Sequence, residues 1–69
     1  MCLSTVYRAG EAISPDSVLA EYVTGIEVDE PAGIVRLVDI AGEQTEFAGR
    51  LRSVDLIKNQ AFLELESAD

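Results

Sequence analysis

The single cysteine of this 69-residue chain stands at position 2, in the run Met1-Cys2-Leu3-Ser4-Thr5-Val6-Tyr7. A lone thiol has no partner for an internal disulfide. It does sit beside the chain's terminal amine, and a thiolate and an amine from one terminus can chelate a soft or borderline metal. With Met1 removed, the Cys2 amine and thiolate close a five-membered chelate. With Met1 retained, its amine, the Cys2 amide nitrogen and the Cys2 thiolate bind in sequence. Such nitrogen–sulfur sets suit square-planar nickel(II) or copper(II). Copper(II) oxidises thiolates, which favours nickel(II) in a reducing cell. One chain supplies too few donors to close a site, whereas two adjacent N-termini supply two thiolates and two or more nitrogens. The donors must lose protons to bind, so affinity should rise with pH. Two other readings of Cys2 stand beside this one: a small apolar residue packed on an edge strand, and a redox-sensing thiol.

Other chemistry is restricted by what the chain lacks. There is no histidine, which removes the usual proton shuttle, imidazole-dependent triads and the commonest zinc ligand. One cysteine cannot build a four-cysteine zinc or iron–sulfur site within a chain. No GxGxxG or phosphate-loop pattern occurs. Carboxylate pairs exist, such as Asp39 with Glu43 and Glu64 with Glu66. Acid–base catalysis needs a pocket that separates their pKa values, and a chain this small has little room for one, so solvation is their expected role. Arg50, Arg52 and Lys58 form the basic group of the C-terminal half. They read as charge balance rather than as a nucleic-acid surface, because no basic–aromatic platform accompanies them. Tyr7, Tyr22, Phe47 and Phe62 read as core or interface residues.

Size and charge set the frame for these residues. The length allows one domain, residues 1–69. A domain this small buries roughly 60% of the surface its unfolded chain exposes, and without disulfides it is expected to lean on a second subunit or a metal. Thirteen acidic and five basic residues leave a net charge of −8, which opposes phosphate backbones and anionic membranes and favours cations. No apolar stretch reaches the roughly 20 residues of a membrane span, and the first residues lack a signal-peptide pattern. The expected location is cytoplasmic, consistent with a reduced thiol.

Short strands must position whatever chemistry there is. Residues 2–8 alternate, with Cys2, Ser4, Val6 and Arg8 on one face. Gly10 and Ser14-Pro15-Asp16 punctuate the chain as turns. Residues 17–22 fit either one helical turn or the approach to a strand. Residues 23–29 alternate, with Val23, Gly25 and Glu27 facing one way and Thr24, Ile26 and Val28 the other. After the turn Glu30-Pro31-Ala32-Gly33 comes the strongest strand, 34–40, apolar on both faces. Residues 44–51 form the next, with Gly49 marking a bulge or corner. Strands at 53–57 and 61–65 then flank a turn at Lys58-Asn59-Gln60. Five or six short strands joined by short turns predict a small antiparallel barrel or strongly bent sheet with meander topology. Its terminal strands would have open edges, which pairing across a two-fold axis would cover.

The whole chain also resembles a family, the CooT-type small nickel-binding proteins. The resemblance rests on Met1-Cys2-Leu3-Ser4-Thr5-Val6-Tyr7, on the hairpin Val38-Asp39-Ile40-Ala41-Gly42-Glu43, on Gly49-Arg50-Leu51-Arg52-Ser53-Val54-Asp55-Leu56, and on Phe62-Leu63-Glu64-Leu65. Its most specific part is the cysteine after the initiator methionine. Residues 9–21, containing Ser14-Pro15-Asp16, are longer than a compact member would carry. The resemblance implies a Sm-like or SH3-like barrel, a homodimer, and nickel bound by the family's cysteine, here Cys2. It implies a link to maturation of carbon monoxide dehydrogenase. Sequences of the family it resembles have also been described as predicted RNA-binding proteins, on the ground of fold similarity.

Together these readings predict an all-β, five- to six-stranded homodimeric barrel that acts as a nickel chaperone or store and not as an enzyme. The metal ligands are expected to be Cys2 of both chains, with nitrogen from Met1 or the Cys2 backbone. The rivals are a Sm-like RNA-binding module using Arg50 and Arg52, and a structural subunit with no ligand.

Overall fold

The computed structural model describes residues 3–66. It contains β1 (Ser4–Arg8), β2 (Val18–Asp29), β3 (Ile34–Asp39), β4 (Gln44–Asp55) and β5 (Gln60–Leu65), with one 3-10 turn at Pro15–Ser17. Each strand pairs with the next in an antiparallel ladder, and β1 pairs with β5 to close the sheet into a barrel. The all-β meander expected from the strand pattern is therefore present. The expected open edges are not. In a meander of five strands the first and last run in the same direction, so they close the ring by a parallel ladder from Thr5↔Gln60 to Arg8↔Leu63.

The core follows from alternation on each strand. Val6, Val23, Val35, Leu37, Ala61 and Leu63 are buried, with Leu19, Ala20, Ile26, Phe47, Leu51 and Leu65 packed around them. In β3 and β5 the two-residue period holds, so Val35 and Leu37, and Ala61 and Leu63, point inward. In β2 it does not. Val23 pairs with Asp39 and Gly25 with Val38, so Thr24 is an extra residue in the ladder. This bulge reverses the facing of the residues after it. Val23 and Ile26 both serve the core, although alternation alone puts them on opposite faces.

Three stretches refine the expected elements. Residues 17–22 resolve as a 3-10 turn ending at Ser17 followed directly by strand, not as a helical turn. Pro15, with its fixed φ, opens that turn. The hydroxyl of buried Ser17 donates to the Ser14 carbonyl and accepts from the Ser14 amide. The regions 44–51 and 53–57 are not two strands. They are one long β4 that changes partner at Gly49, pairing with β3 through Ala48 and with β5 from Gly49 onward. Leu56 and Ile57 leave the strand because the Asp55 carboxylate accepts hydrogen bonds from the Ile57 and Lys58 amides, both at 3.0 Å, and folds the chain into a turn.

Candidate metal centre

Met1 and Cys2 lie outside the described residues. The surroundings of the start of β1 are described. Ser4 pairs with Val23 on one side, and Thr5 pairs with Gln60 on the other. The Thr5 amide donates to the Asn59 carbonyl at 3.0 Å, tying the chain's entry into the barrel to the β4–β5 turn. On the β2 side, the Ile40 amide donates to the Tyr22 carbonyl at 2.9 Å. The beginning of β1 is thus flanked by Tyr22 and Ile40 on one side and by the turn bearing Leu56 and Ile57 on the other.

All four of these apolar residues are exposed, Leu56 by 80% and Ile57 by 92%. Tyr22 also carries a backbone strain. Its φ is +58°, a left-handed conformation that bulky side chains seldom adopt. It falls where β2 slips register against β1, between the pairs Ser4↔Val23 and Val6↔Ala20. Strain of this kind persists only where the surrounding pairing enforces it. The sequence reading missed this surface. One signal was present: Asp55 and Asn59, both turn formers, bracket Leu56 and Ile57 and mark them as turn residues.

The carboxylates at this end of the barrel are partly committed to the backbone. Asp39 accepts from the Ala41 and Glu43 amides, both at 2.9 Å. Asp55 holds the β4–β5 turn in the same way. The suggested pair Asp39 and Glu43 is therefore a hairpin device in which the Glu43 amide, not its carboxylate, meets Asp39. Among the described residues no three His, Cys, Asp or Glu side chains gather in a manner that could hold a metal ion.

The basic residues do not form an open cationic face. Arg50 is bound to Glu64 through Nε at 2.7 Å and Nη2 at 2.6 Å, and Arg52 reaches the same carboxylate at 3.7 Å. Arg36 bridges Glu27 and Glu46 across three strands, at 2.8 and 2.7 Å. Its hydrogen bonds to Glu46 and then to Glu27 hold the guanidinium further above its already high pKa. The aromatic residues divide by position. Tyr7 and Phe62 stack across the β1–β5 ladder with centroids 5.7 Å apart, Phe47 packs against the core, and Tyr22 is exposed.

This geometry defines a small closed barrel with a plain interior and a nonpolar surface around one chain entry. Comparison with known proteins makes the assignment more particular. The family model for the CO dehydrogenase accessory protein CooT matches residues 1–64, and the chain belongs to that family. The family is one of accessory proteins and not catalysts, in keeping with the non-enzyme expected from the sequence. An uncharacterized protein of Methanothermobacter thermautotrophicus is 38% identical over 66 residues, covering 96% of this chain and 92% of its own. An uncharacterized protein of Methanocaldococcus jannaschii is 28% identical over 64 residues, covering 93% and 98%. No solved structure matches the chain significantly. No helix among the described residues is long and apolar enough to cross a membrane.

Proposed function

We propose that this protein carries nickel(II) for carbon monoxide dehydrogenase, as a chaperone or store working in the cytoplasm. The observation that carries the reading is the family match, which extends over the Met1-Cys2 segment. In this reading the Cys2 thiolate is the anchoring ligand and nitrogen from Met1 or the Cys2 backbone completes the set. A thiolate with amine or amide nitrogens is a donor set suited to four-coordinate nickel(II). Two chains are needed to fill the coordination sphere, so the metal sits between the subunits of a homodimer.

The closed barrel removes open sheet edges as the reason for pairing. The exposed Tyr22, Ile40, Leu56 and Ile57 around the entry of β1 supply another reason. Covering them with a second copy would bring two Cys2 segments together and exclude water from the metal. The nickel is cargo here, so its binding has to be reversible. Exchange is favoured by low pH, where thiol and nitrogen donors regain their protons.

A nickel titration of the wild type and Cys2→Ser, followed by sulfur-to-nickel charge-transfer absorption, tests the proposal. Wild type should saturate at one nickel per two chains, and the variant should lose the bands. Bands that never form in the wild type would remove nickel from the reading, and bands that survive in Cys2→Ser would remove Cys2 as its ligand. Failure to bind any metal with the fold intact would leave a purely structural subunit.

A further inference from the structure

At the end of the barrel opposite the β1 entry, the β2–β3 hairpin and the facing parts of β4 and β5 line an open groove of about 730 Å³. Its apolar lining is Val28, Leu51 and Leu65, and its charged lining is Asp29, Glu30, Glu64 and Glu66 with Arg50. Val28 is 47% exposed. It lies two residues beyond Ile26 and shares its face, so the bulge that turns Ile26 into the core also turns Val28 into this groove. Arg50 offsets only Glu64, the carboxylate that engages it, so the rim keeps a net negative charge. Among the described residues Glu30 and Glu66 have no cationic partner.

We infer that this groove docks a basic segment of a partner protein, one that places an apolar side chain on Val28, Leu51 and Leu65 and lysine or arginine against Glu30 and Glu66. Charge complementarity selects this occupant. A second copy of the chain carries −8 and would bring like charge to a carboxylate rim. Anionic lipid and nucleic acid are repelled for the same reason. A small hydrated cation is attracted but leaves the apolar floor uncovered. A basic and apolar peptide satisfies both parts. The groove lies away from Tyr22, Ile40, Leu56 and Ile57, so a dimer formed at that other end keeps two grooves free. Docking in the groove does not depend on nickel binding.

The probe is an end-blocked Lys-Leu-Lys-Leu-Lys peptide, titrated into the full chain at about 50 mM salt and followed by amide chemical shifts, with Lys-Ser-Lys-Ser-Lys as its apolar-free counterpart. The leucine peptide should shift residues 28–30, 49–51 and 64–66. Binding should weaken about tenfold in the E30Q/E66Q double variant, about tenfold for the serine peptide, and several-fold in Val28→Ser. These positions are at the surface, and an unchanged amide spectrum away from the groove verifies the fold of each variant. Equal binding of both peptides, or no effect of Val28→Ser, means charge attraction alone and overturns the proposal. So do shifts centred on another face, or displacement of the peptide by calcium at equimolar concentration, which would make the rim a cation site.

Discussion

Gly49 sits where β4 turns its ladder from β3 to β5, with φ +152°. A Cβ there would overlap the Glu64 carbonyl oxygen and crowd the Leu65 Cα at 2.9 Å. Backbone, not a movable side chain, is in the way. Gly49→Ala should therefore cost more than about 2 kcal/mol, read as a lowered urea midpoint with an unchanged slope. Leu63 is fully buried at the middle of the core, and Leu63→Ala should cost about 2–5 kcal/mol. Domains typically have a total stability of about 5–15 kcal/mol, so that variant should lose a large share of it, read as a markedly lowered melting temperature. At Cys2 the expected outcome concerns protons: nickel affinity of the wild type should rise steadily from about pH 6 to pH 8, because both thiol and nitrogen donors are released from protons. Competition titrations against a chelator of known affinity at each pH measure it.

Among the elements, the β4–β5 turn has the most specific role. The Asp55 carboxylate holds it through two amides, and it presents Leu56 and Ile57 beside the hydrogen bond from Thr5 to Asn59. Asp55→Ala removes two hydrogen bonds worth about 0.5–1.5 kcal/mol each. A matching loss of thermal stability is expected, and amide exchange at Ile57 and Lys58 should accelerate more than in the core. Element type was legible in the sequence for most of the chain. In β5 the alternation of Ala61, Leu63 and Leu65 made the inward residues readable, whereas β3 is apolar on both faces and only the barrel selects Val35 and Leu37 as its inward pair. For β2 the inward residues were not readable, because the extra residue at Thr24 changes facing and leaves no distinctive residue type behind. For β4 the glycine was visible as a corner, but a corner within one strand and a break between two strands share the same composition.

For the whole molecule, charge and apolar surface act in opposite directions on self-association. Each chain carries −8, so a dimer built on Tyr22, Ile40, Leu56 and Ile57 should tighten as salt screens the repulsion. Binding of a basic peptide in the opposite groove should weaken over the same range. Light scattering on Leu56→Ser/Ile57→Ser should give a folded monomer, since both side chains are exposed and outside the barrel core, with its melting temperature lowered only by the lost association. A dimer that persists places the interface elsewhere. What the sequence by itself determined was the class: an acidic all-β chain, without the residues for imidazole or internal-disulfide chemistry, resembling the family to which it belongs. Those properties are set by composition and by two-residue periodicity, which are local. Only the tertiary structure decided that β1 and β5 close the ring, that Glu64 engages Arg50 and Arg52, and that the apolar turn lies beside the entry of β1. Each of these depends on register between strands distant in sequence, and register is decided by the packing of the whole barrel.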